Sequence, residues 1–270
     1  MLILLLSTIA FAAEAADPVA VWLRVSTWTG TQPPNVVVYA DRTLVRWESM
    51  PLTEVAKSDT ISLSRGRKLA KQIAYDSHYV VSTLSDAEWA ELNLRIDAAF
   101  RSFQPKRAYN IGQYSDPDVE LLFASDGDVS WTVGIVAAFD DEYQDPRVLP
   151  LPVRDYFECL RGLRGEGARV WEPSEVDVVF YPHSDEGLAR RDWLISRKRK
   201  HVTWPSELPS VLASVESKPL RQRFPGSYYL RIRELTLGGP VEIGGRLFTV
   251  ASRPVFPSEG AWEEAFRLQR

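Results

Sequence analysis

The sequence predicts an α+β protein built from antiparallel hairpins, with two main helices in its N-terminal half and a β-rich C-terminal half. Three observations favour this class. Segments that alternate apolar and polar residues come in pairs separated by turn-forming residues. Two segments, 85–103 and 151–163, instead place apolar residues at intervals of three and four. Strand and helix segments do not alternate in the way that a parallel sheet requires.

The first predicted elements are strands. Val19–Trp28 alternates apolar and polar side chains, and Gly30 with the proline pair after it predicts a turn. Val36–Trp47 has the pattern of a hairpin that turns near Asp41 and Arg42. Because Arg42 stands where the favoured Asp-Gly turn has glycine, the pattern favours a longer or bulged turn.

A loop, a strand and then a helix follow. Residues 48–71 hold few apolar side chains and are predicted to form a loop, with T-I-S-L as a short strand inside it. Ile73–Leu84 is predicted to be a strand. Ser85 and Glu88 form the S-D-A-E capping box of a helix that ends before Pro105. The apolar face of this helix consists of Trp89, Leu92, Ile96, Ala99, Phe100 and Phe103.

A second hairpin and a second helix complete the N-terminal half. Val119–Val136 is predicted to be a hairpin with Asp126-Gly127 at its tip. Leu151–Leu163 has the spacing of a helix, and the glycine-rich run G-L-R-G-E-G ends it.

The C-terminal half is predicted to consist mainly of strands. The candidate strands are R-V-W, E-V-D-V-V-F-Y and S-Y-Y-L-R-I-R-E, and Gly244-Gly245 between alternating runs predicts a type I′ hairpin. A short helix, G-A-W-E-E-A-F-R-L, closes the chain. The change in pattern places a domain boundary near Gly167, between an α+β domain at 16–167 and a β-rich domain at 168–270.

Charge and the N-terminus predict where the protein acts. The net charge is −4, so no overall positive field predicts nucleic acid as a partner. The apolar run Leu2–Ala13 suits the core of a signal peptide and is too short to span a bilayer; A-x-A patterns predict cleavage after Ala15 or Ala12. No Lys or Arg precedes the run, and the alternative is a buried N-terminal helix or strand. We expect a signal peptide at 1–15, a periplasmic or secreted protein, and no integral membrane anchor.

Part of the chain resembles a group of uncharacterised exported bacterial proteins. The likeness rests on V-V-V-Y-A-D-R-T-L-V, L-S-D-A-E-W-A-E-L and V-E-L-L-F-A-S-D-G-D-V. Those proteins carry a V-x-V-Y-x-D-G hairpin before a helix that begins L-S-x-x-E. The resemblance covers roughly Val36 to Gly165 and departs from the pattern at Arg42, where the pattern has glycine. It implies export and the fold class, and it brings no activity and no functional residues.

Metal-ligating residues are few and scattered. The three histidines, His78, His183 and His201, belong to no zinc-binding motif. The loop Y-P-H-S-D-E-G offers His183 and Asp185 as two ligands, but a third would have to come from elsewhere in the chain. The turn-forming residues around them favour a polar loop instead.

Acidic clusters are the next candidates for a metal site. Asp116, Asp118 and Glu120, then Asp126 and Asp128, do not fit the calcium-loop pattern. The acidic run at 140–145 could bind calcium loosely, and solvated loop acids are the alternative. We predict no cofactor.

Motifs of nucleophilic catalysis are missing from the sequence. It contains no G-x-S-x-G elbow, and G-L-R-G-E-G follows a helix instead of opening one, so its N–H groups are not placed to cradle a phosphate. The single cysteine, Cys159, lies in a helical pattern and is predicted to be a small buried hydrophobe. Paired carboxylates distant in sequence stay open as a possibility.

One stretch is strongly basic. Leu188–His201 carries six basic residues and one acid, Asp192, which gives a local charge of 6 − 1 = +5. Such a patch could face lipid phosphates or an acidic partner, and a solvated loop is the alternative. The candidate ligand face consists of His183, Asp185, Arg190, Arg191, Arg197, Lys198, Arg199 and Lys200.

Two functional hypotheses follow from the sequence. The first is a non-catalytic binding or scaffold protein of the bacterial envelope, with an anionic envelope component or a protein as its partner. The second is an envelope hydrolase, with or without a metal, that uses His183 and Asp185. Convergence of these two side chains with another histidine or acid in a cleft would favour the second hypothesis.

Overall fold

A computed structural model shows two β-sheets and the α-helices that cover them. The residues that it describes are 16–26, 30–31, 33–48, 78–102, 108–111, 119–136, 149–182, 202–211, 219–238 and 240–267. Helices and strands are both present and strands dominate, so the mixed, β-rich class predicted from the sequence is confirmed. The predicted signal peptide and the loop predicted to follow Glu48 lie outside the described residues.

The first sheet contains nine described strands. They are β1 (Pro18–Ser26), β2 (Gly30–Thr31), β3 (Val36–Tyr39), β4 (Thr43–Glu48), β5 (His78–Thr83), β6 (Ala108–Asn110), β7 (Val119–Ser125), β8 (Ser130–Val136) and β9 (Glu166–Val170). Their order across the sheet is β6-β8-β7-β1-β3-β4-β5-β9, and β2 pairs with the end of β1. The pair β6 and β8 is parallel, and the other described pairs of this sheet are antiparallel.

The second sheet contains five described strands, in the order β11-β13-β14-β10-β12. They are β10 (Glu175–Pro182), β11 (Val202–Thr203), β12 (Leu220–Pro225), β13 (Val241–Ile243) and β14 (Arg246–Val255). The helices are α1 (Asp86–Ser102), α2 (Leu151–Gly162), α3 (Tyr229–Gly238) and α4 (Glu259–Arg267). A short 3-10 turn, Gly226–Tyr228, leads into α3.

Helices α1 and α2 cover one face of the first sheet. Leu92 and Ile96 of α1 are buried there beside Tyr156 and Leu160 of α2. The Tyr156 hydroxyl donates a hydrogen bond to the carbonyl of Phe123 at 2.6 Å, which satisfies the polar end of a buried ring. We call this the helix-covered face of the first sheet.

The C-terminal end of the chain covers the opposite face of the first sheet. Trp262 and Phe266 of α4 pack there, together with Phe256 from the residues just before the helix. The Phe256 ring lies 5.3 Å from Tyr79 and 4.8 Å from Trp171 between ring centroids. Both faces of the first sheet are therefore buried, and the C-terminal residues complete its core.

One predicted strand in the C-terminal half is a helix. The segment S-Y-Y-L-R-I-R-E was predicted to be a strand, and it forms the 3-10 turn and most of α3. The prediction is wrong because burial recurs at intervals of three, at Tyr229, Ile232 and Leu235, while Leu230 is exposed. These three side chains pack on the apolar side of the second sheet.

Two hairpin turns follow the predicted chemistry. Residues 40–42 connect β3 to β4, the Arg42 N–H donates to the Tyr39 carbonyl at 2.9 Å, and Arg42 has a φ of 69°. A three-residue turn whose last residue is left-handed confirms the predicted longer or bulged turn. Gly244 and Gly245 have φ values of 58° and 77°, which confirms the type I′ hairpin between β13 and β14.

The predicted capping box begins α1. The Ser85 N–H donates to the Glu88 carboxylate at 3.1 Å, and the Glu88 N–H donates to the Ser85 hydroxyl at 3.3 Å. The other Glu88 oxygen accepts hydrogen bonds from the N–H groups of Arg164 and Gly165 at 2.9 and 3.1 Å. Glu88 thus joins the start of α1 to the connection that follows α2.

Candidate functional site

The candidate ligand face predicted from the sequence lies outside the described residues. This applies to His183, Asp185, Arg190, Arg191, Arg197, Lys198, Arg199 and Lys200. The strand predicted to precede them is confirmed as β10, which ends at Pro182. The use of His183 and Asp185 as metal ligands together with a third residue stays a prediction.

The segment that carries these residues is attached to one end of the second sheet. Pro182 is paired with Phe248, Phe248 with Val241, and Val241 with Val202. The last residue before the segment and the first described strand residue after it therefore lie in one row, three strands apart. At about 4.8 Å between strands, the two attachment points are roughly 14 Å apart.

Two of the acidic residues considered for calcium, Asp126 and Glu120, have structural partners. The Asp126 carboxylate accepts hydrogen bonds from the N–H groups of Asp128 and Val129 at 3.1 and 2.9 Å, as turn-forming aspartates do. Glu120 is buried inside the protein. Among the described residues, no group of three or more His, Cys, Asp or Glu side chains could hold a metal ion.

Cys159 is half-buried on α2. Burial raises the pKa of its thiol to about 11, and the nearby carboxylate of Glu91 adds to the effect. The thiolate is the nucleophilic form of cysteine, so the raised pKa disfavours reaction. Cys159 packs against the helix-covered core as predicted, but it is half-buried and not fully buried.

Four connections of the first sheet are attached to it at one end. The register shows this, because Val119 is paired with Val25 and Val136, Asn110 with Val136, and Glu48 with His78. Residues 27–29, 49–77, 112–118 and 137–148 follow or precede these positions. The opposite end carries the short turns at 40–42 and 126–129. Since binding residues concentrate on the connecting segments that a rigid scaffold carries, this end is the candidate site, and we call it the loop-bearing end.

A buried carboxylate lies at the loop-bearing end. Glu120 of β7 is 0% exposed and is directly paired with Arg24 of β1. Its two oxygens accept hydrogen bonds from the indole N–H of Trp22 and from Nε of Arg24, the latter at 3.1 Å. The Arg24 side chain remains 29% exposed. Glu120 therefore holds a partly exposed guanidinium in a fixed place on the helix-covered face.

A second polar group lies on β4 and β5, on the same face. Glu48 is directly paired with His78, and Arg46 lies two residues before Glu48, so the three side chains share one side of the sheet. Arg46 donates from Nη2 to the Glu48 carboxylate, and their side chains are 17% and 36% exposed. The buried Nε of Arg46 has no hydrogen-bond acceptor in the described structure.

These two groups form what we call the loop-end cluster. It consists of Arg24, Arg46, Glu48, His78 and Glu120. Each arginine is oriented by a carboxylate on a rigid strand, and guanidinium groups held in this way are strong donors to carboxylate or phosphate oxygens. The chemistry that the cluster best supports is recognition of an anionic group.

No pattern in the sequence predicted the loop-end cluster. The alternation over Val19–Trp28 places Val21, Leu23 and Val25 on one side of the first strand and Arg24 on the other. The available signal was that Arg24 shares its side of the strand with Ala20 and Trp22, both of which belong to the helix-covered core. Because both faces of the sheet are buried, alternation alone could not tell a solvent face from a core face.

A separate ionic cluster joins the second sheet to α4. Asp177 of β10 is 2% exposed and contacts Arg221, Arg223 and Arg253 on the two neighbouring strands. Burial would raise the pKa of Asp177, but hydrogen bonding and charge from the arginines, Arg221 first, lower it. Arg253 also donates to both Glu259 oxygens at 3.0 Å. This arrangement ties the helix to the sheet.

Comparison with known proteins gives no relative. No protein-family model matches the chain, and neither curated proteins nor solved structures contain a match. Within the described residues, no helix is long and apolar enough to cross a membrane. The function is therefore inferred from this chain's own residues.

Proposed function

We propose that the protein is a non-catalytic binding or scaffold protein of the bacterial envelope, periplasmic or secreted. Its ligand is an anionic envelope component, and the loop-end cluster of the first sheet binds it. The proposal joins the export expected from the signal-peptide pattern at residues 1–15 to the charged side chains at the loop-bearing end.

The proposal rests mainly on the incomplete hydrogen bonding of the Arg46 side chain. Its Nε is buried without an acceptor, while Nη2 is held by Glu48. A buried donor without a partner costs about 1–3 kcal/mol, and such groups are rare in native structures, so this one calls for an acceptor. An anionic oxygen at Arg46 would remove this cost.

The residue types favour recognition over catalysis. A guanidinium group stays protonated throughout the physiological pH range, so it exchanges no proton with a substrate and serves as a fixed donor. Arg24 and Arg46 stand on strands of a sheet that is buried on both faces. Rigid placement reduces the entropy lost when a ligand binds.

The test uses anionic envelope materials as probes. The mature protein would be sedimented with isolated peptidoglycan sacculi, whose anionic groups are carboxylates, and with phosphatidylglycerol vesicles, whose anionic groups are phosphates. We expect binding to one of the two, and Arg46→Met should weaken it about tenfold because it removes the donor and keeps most of the apolar volume.

The control is Arg161→Met on α2. Arg161 also pairs with a glutamate, Glu158 at 3.0 Å, but it lies away from the loop-bearing end. This variant should bind like the wild type. The proposal is contradicted if the wild type binds neither material, or if both variants bind equally well.

The hydrolase hypothesis stays a prediction, since His183 and Asp185 lie outside the described residues. Metal analysis of the purified protein would test it. Zinc, manganese or iron at one ion per chain would favour a metal-assisted hydrolase, and sub-stoichiometric amounts of all three would remove the metal-dependent form of the hypothesis.

A further inference from the structure

We propose that the outer edge of β12 binds an extended acidic segment of a partner protein, which adds to the second sheet as a further strand. In the described structure, β12 is the last strand on its side of the sheet and pairs with β10. This surface is distinct from the loop-end cluster of the first sheet, and the inference does not rest on the proposed function.

The backbone of β12 presents hydrogen-bonding groups at this edge. The Gly226 N–H donates inward to the Ser174 carbonyl at 2.7 Å. Because N–H groups alternate sides along a strand, those of Arg221 and Arg223 point outward, away from β10. The nitrogen of Pro225 also points outward. Its lack of an N–H therefore removes no hydrogen bond to β10.

The side chains above this edge are positively charged and held in place. Arg221 and Arg223 are 59% and 54% exposed on one face of the sheet. Arg221 donates from Nε and Nη2 to the buried Asp177, and Nε of Arg223 lies 3.5 Å from the other Asp177 oxygen. Asp177 thus orients the Arg221 guanidinium, and Glu175 accepts a hydrogen bond from Nη1 of Arg223 at 3.2 Å, so carboxylates of β10 hold both guanidinium groups near the outer edge of the sheet.

The arginines at this edge favour an acidic partner over a second copy of this chain. A second copy pairing antiparallel along β12 in the matching register would place Arg221 opposite Arg223 of the other copy, and like charges directly opposite each other are destabilising. A strand with acids at alternate positions instead places a carboxylate opposite each arginine. Strand addition combines main-chain hydrogen bonds for affinity with these side-chain pairs for specificity.

The first experiment needs no variant. A fluorescent peptide of alternating Thr and Glu would be titrated with the protein at low ionic strength, and binding read by anisotropy. Two control peptides would be used: one with Lys in place of Glu, and one in which the N–H groups that would face β12 are methylated. We expect both controls to bind at least about tenfold more weakly, because one loses the charge pairs and the other the main-chain hydrogen bonds.

The second experiment tests the arginines. Arg221→Gln with Arg223→Gln should weaken binding of the Thr-Glu peptide about tenfold, whereas Arg231→Gln, at an arginine on α3 that is 51% exposed, should not. Equal binding of the methylated and unmethylated peptides to the wild type would overturn strand addition. Equal binding of the Lys and Glu peptides would overturn the charge pattern, even if the double variant failed to fold.

Discussion

Glu88 and Arg42 show how single residues set the ends of elements in this protein. Glu88 closes the first turn of α1 and also binds the connection after α2. Arg42 takes a left-handed conformation at φ 69° in the turn between β3 and β4. Its guanidinium contacts Asp86 and lies 5.8 Å from the Trp89 ring centroid, so the turn and the start of α1 are joined.

Stability should depend on the charge of Glu88. Burial would raise its pKa, but hydrogen bonds from three backbone N–H groups and the Ser85 hydroxyl outweigh that effect and lower the pKa to about 2. The folded pKa lies below the unfolded one, so the contribution is present above about pH 4.5 and is lost as the pH falls towards 2. Because the side chain is only partly buried and solvent screens its charge, we expect Glu88→Gln to cost only about 1–2 kcal/mol near pH 7.

The measurement is urea unfolding of the wild type and Glu88→Gln at several pH values. The difference in unfolding free energy should shrink between about pH 4.5 and pH 2. A difference that is the same at neutral and acid pH would show that the carboxylate charge has no part in the effect.

Arg42 should tolerate glycine better than alanine. The left-handed conformation destabilises an L-residue by roughly 1–2 kcal/mol. For glycine the main cost is instead the larger conformational entropy of the unfolded chain. Arg42→Ala and Arg42→Gly both lose the contacts with Asp86 and Trp89. We therefore expect Arg42→Gly to be more stable than Arg42→Ala by up to about 1 kcal/mol in thermal or urea unfolding. The reverse order would contradict the left-handed turn.

At the scale of elements, the features that depend on neighbouring residues were predicted correctly from the sequence. The capping box, the helix that it starts and the Gly244-Gly245 turn depend on residues within a few positions of each other, and all three are confirmed. The helix α3 was predicted as a strand because L-R-I-R alternates over a short window. Its helical period appears only over the longer spacing from Tyr229 to Leu235, which sets the face against the second sheet.

Substitutions on α3 distinguish the helix from the predicted strand. In a strand, Leu230 and Ile232 would share one face and have similar costs, whereas in the helix Ile232 is 0% and Leu230 48% exposed. Ile232→Ala should cost about 2–5 kcal/mol of unfolding free energy, and Leu230→Ala within about 0.5 kcal/mol. Similar losses for both, measured by urea unfolding, would favour the strand.

At the scale of the whole molecule, the C-terminal residues pack against the N-terminal sheet. The predicted domain boundary near Gly167 falls within β9, a strand of the first sheet. Phe256, Trp262 and Phe266, from beyond the boundary, are buried against that sheet. Without them, an apolar face that includes Val21 and Phe123 would meet water.

The fragment 16–167 therefore tests the boundary. We expect it to lack stable tertiary packing, because it exposes one face of its sheet, and to bind a hydrophobic dye such as ANS. The full chain should unfold in one transition that tryptophan fluorescence and circular dichroism report alike. A fragment with sharp thermal unfolding and no dye binding would support two independent domains instead.

The loop-end cluster also belongs to the scale of the whole molecule. Arg24 and Glu120 are far apart in sequence, and only the pairing of β1 with β7 brings them together. Likewise, the pairing of β4 with β5 places Glu48 beside His78 across the long connection between them. No local motif encodes such pairs. The strands could therefore be predicted from the sequence, but the loop-end cluster could not.

Hydrogen exchange with and without the bound envelope component tests the central claim most directly. Protein saturated with whichever material it sediments with would be compared with free protein by mass spectrometry. We predict slower exchange at 22–26, 46–48 and 78–80, which form the loop-bearing end, and unchanged exchange at the turns 40–42 and 126–129 of the opposite end. Protection confined to those turns, or to the second sheet, would contradict the assignment of the loop-end cluster as the binding site.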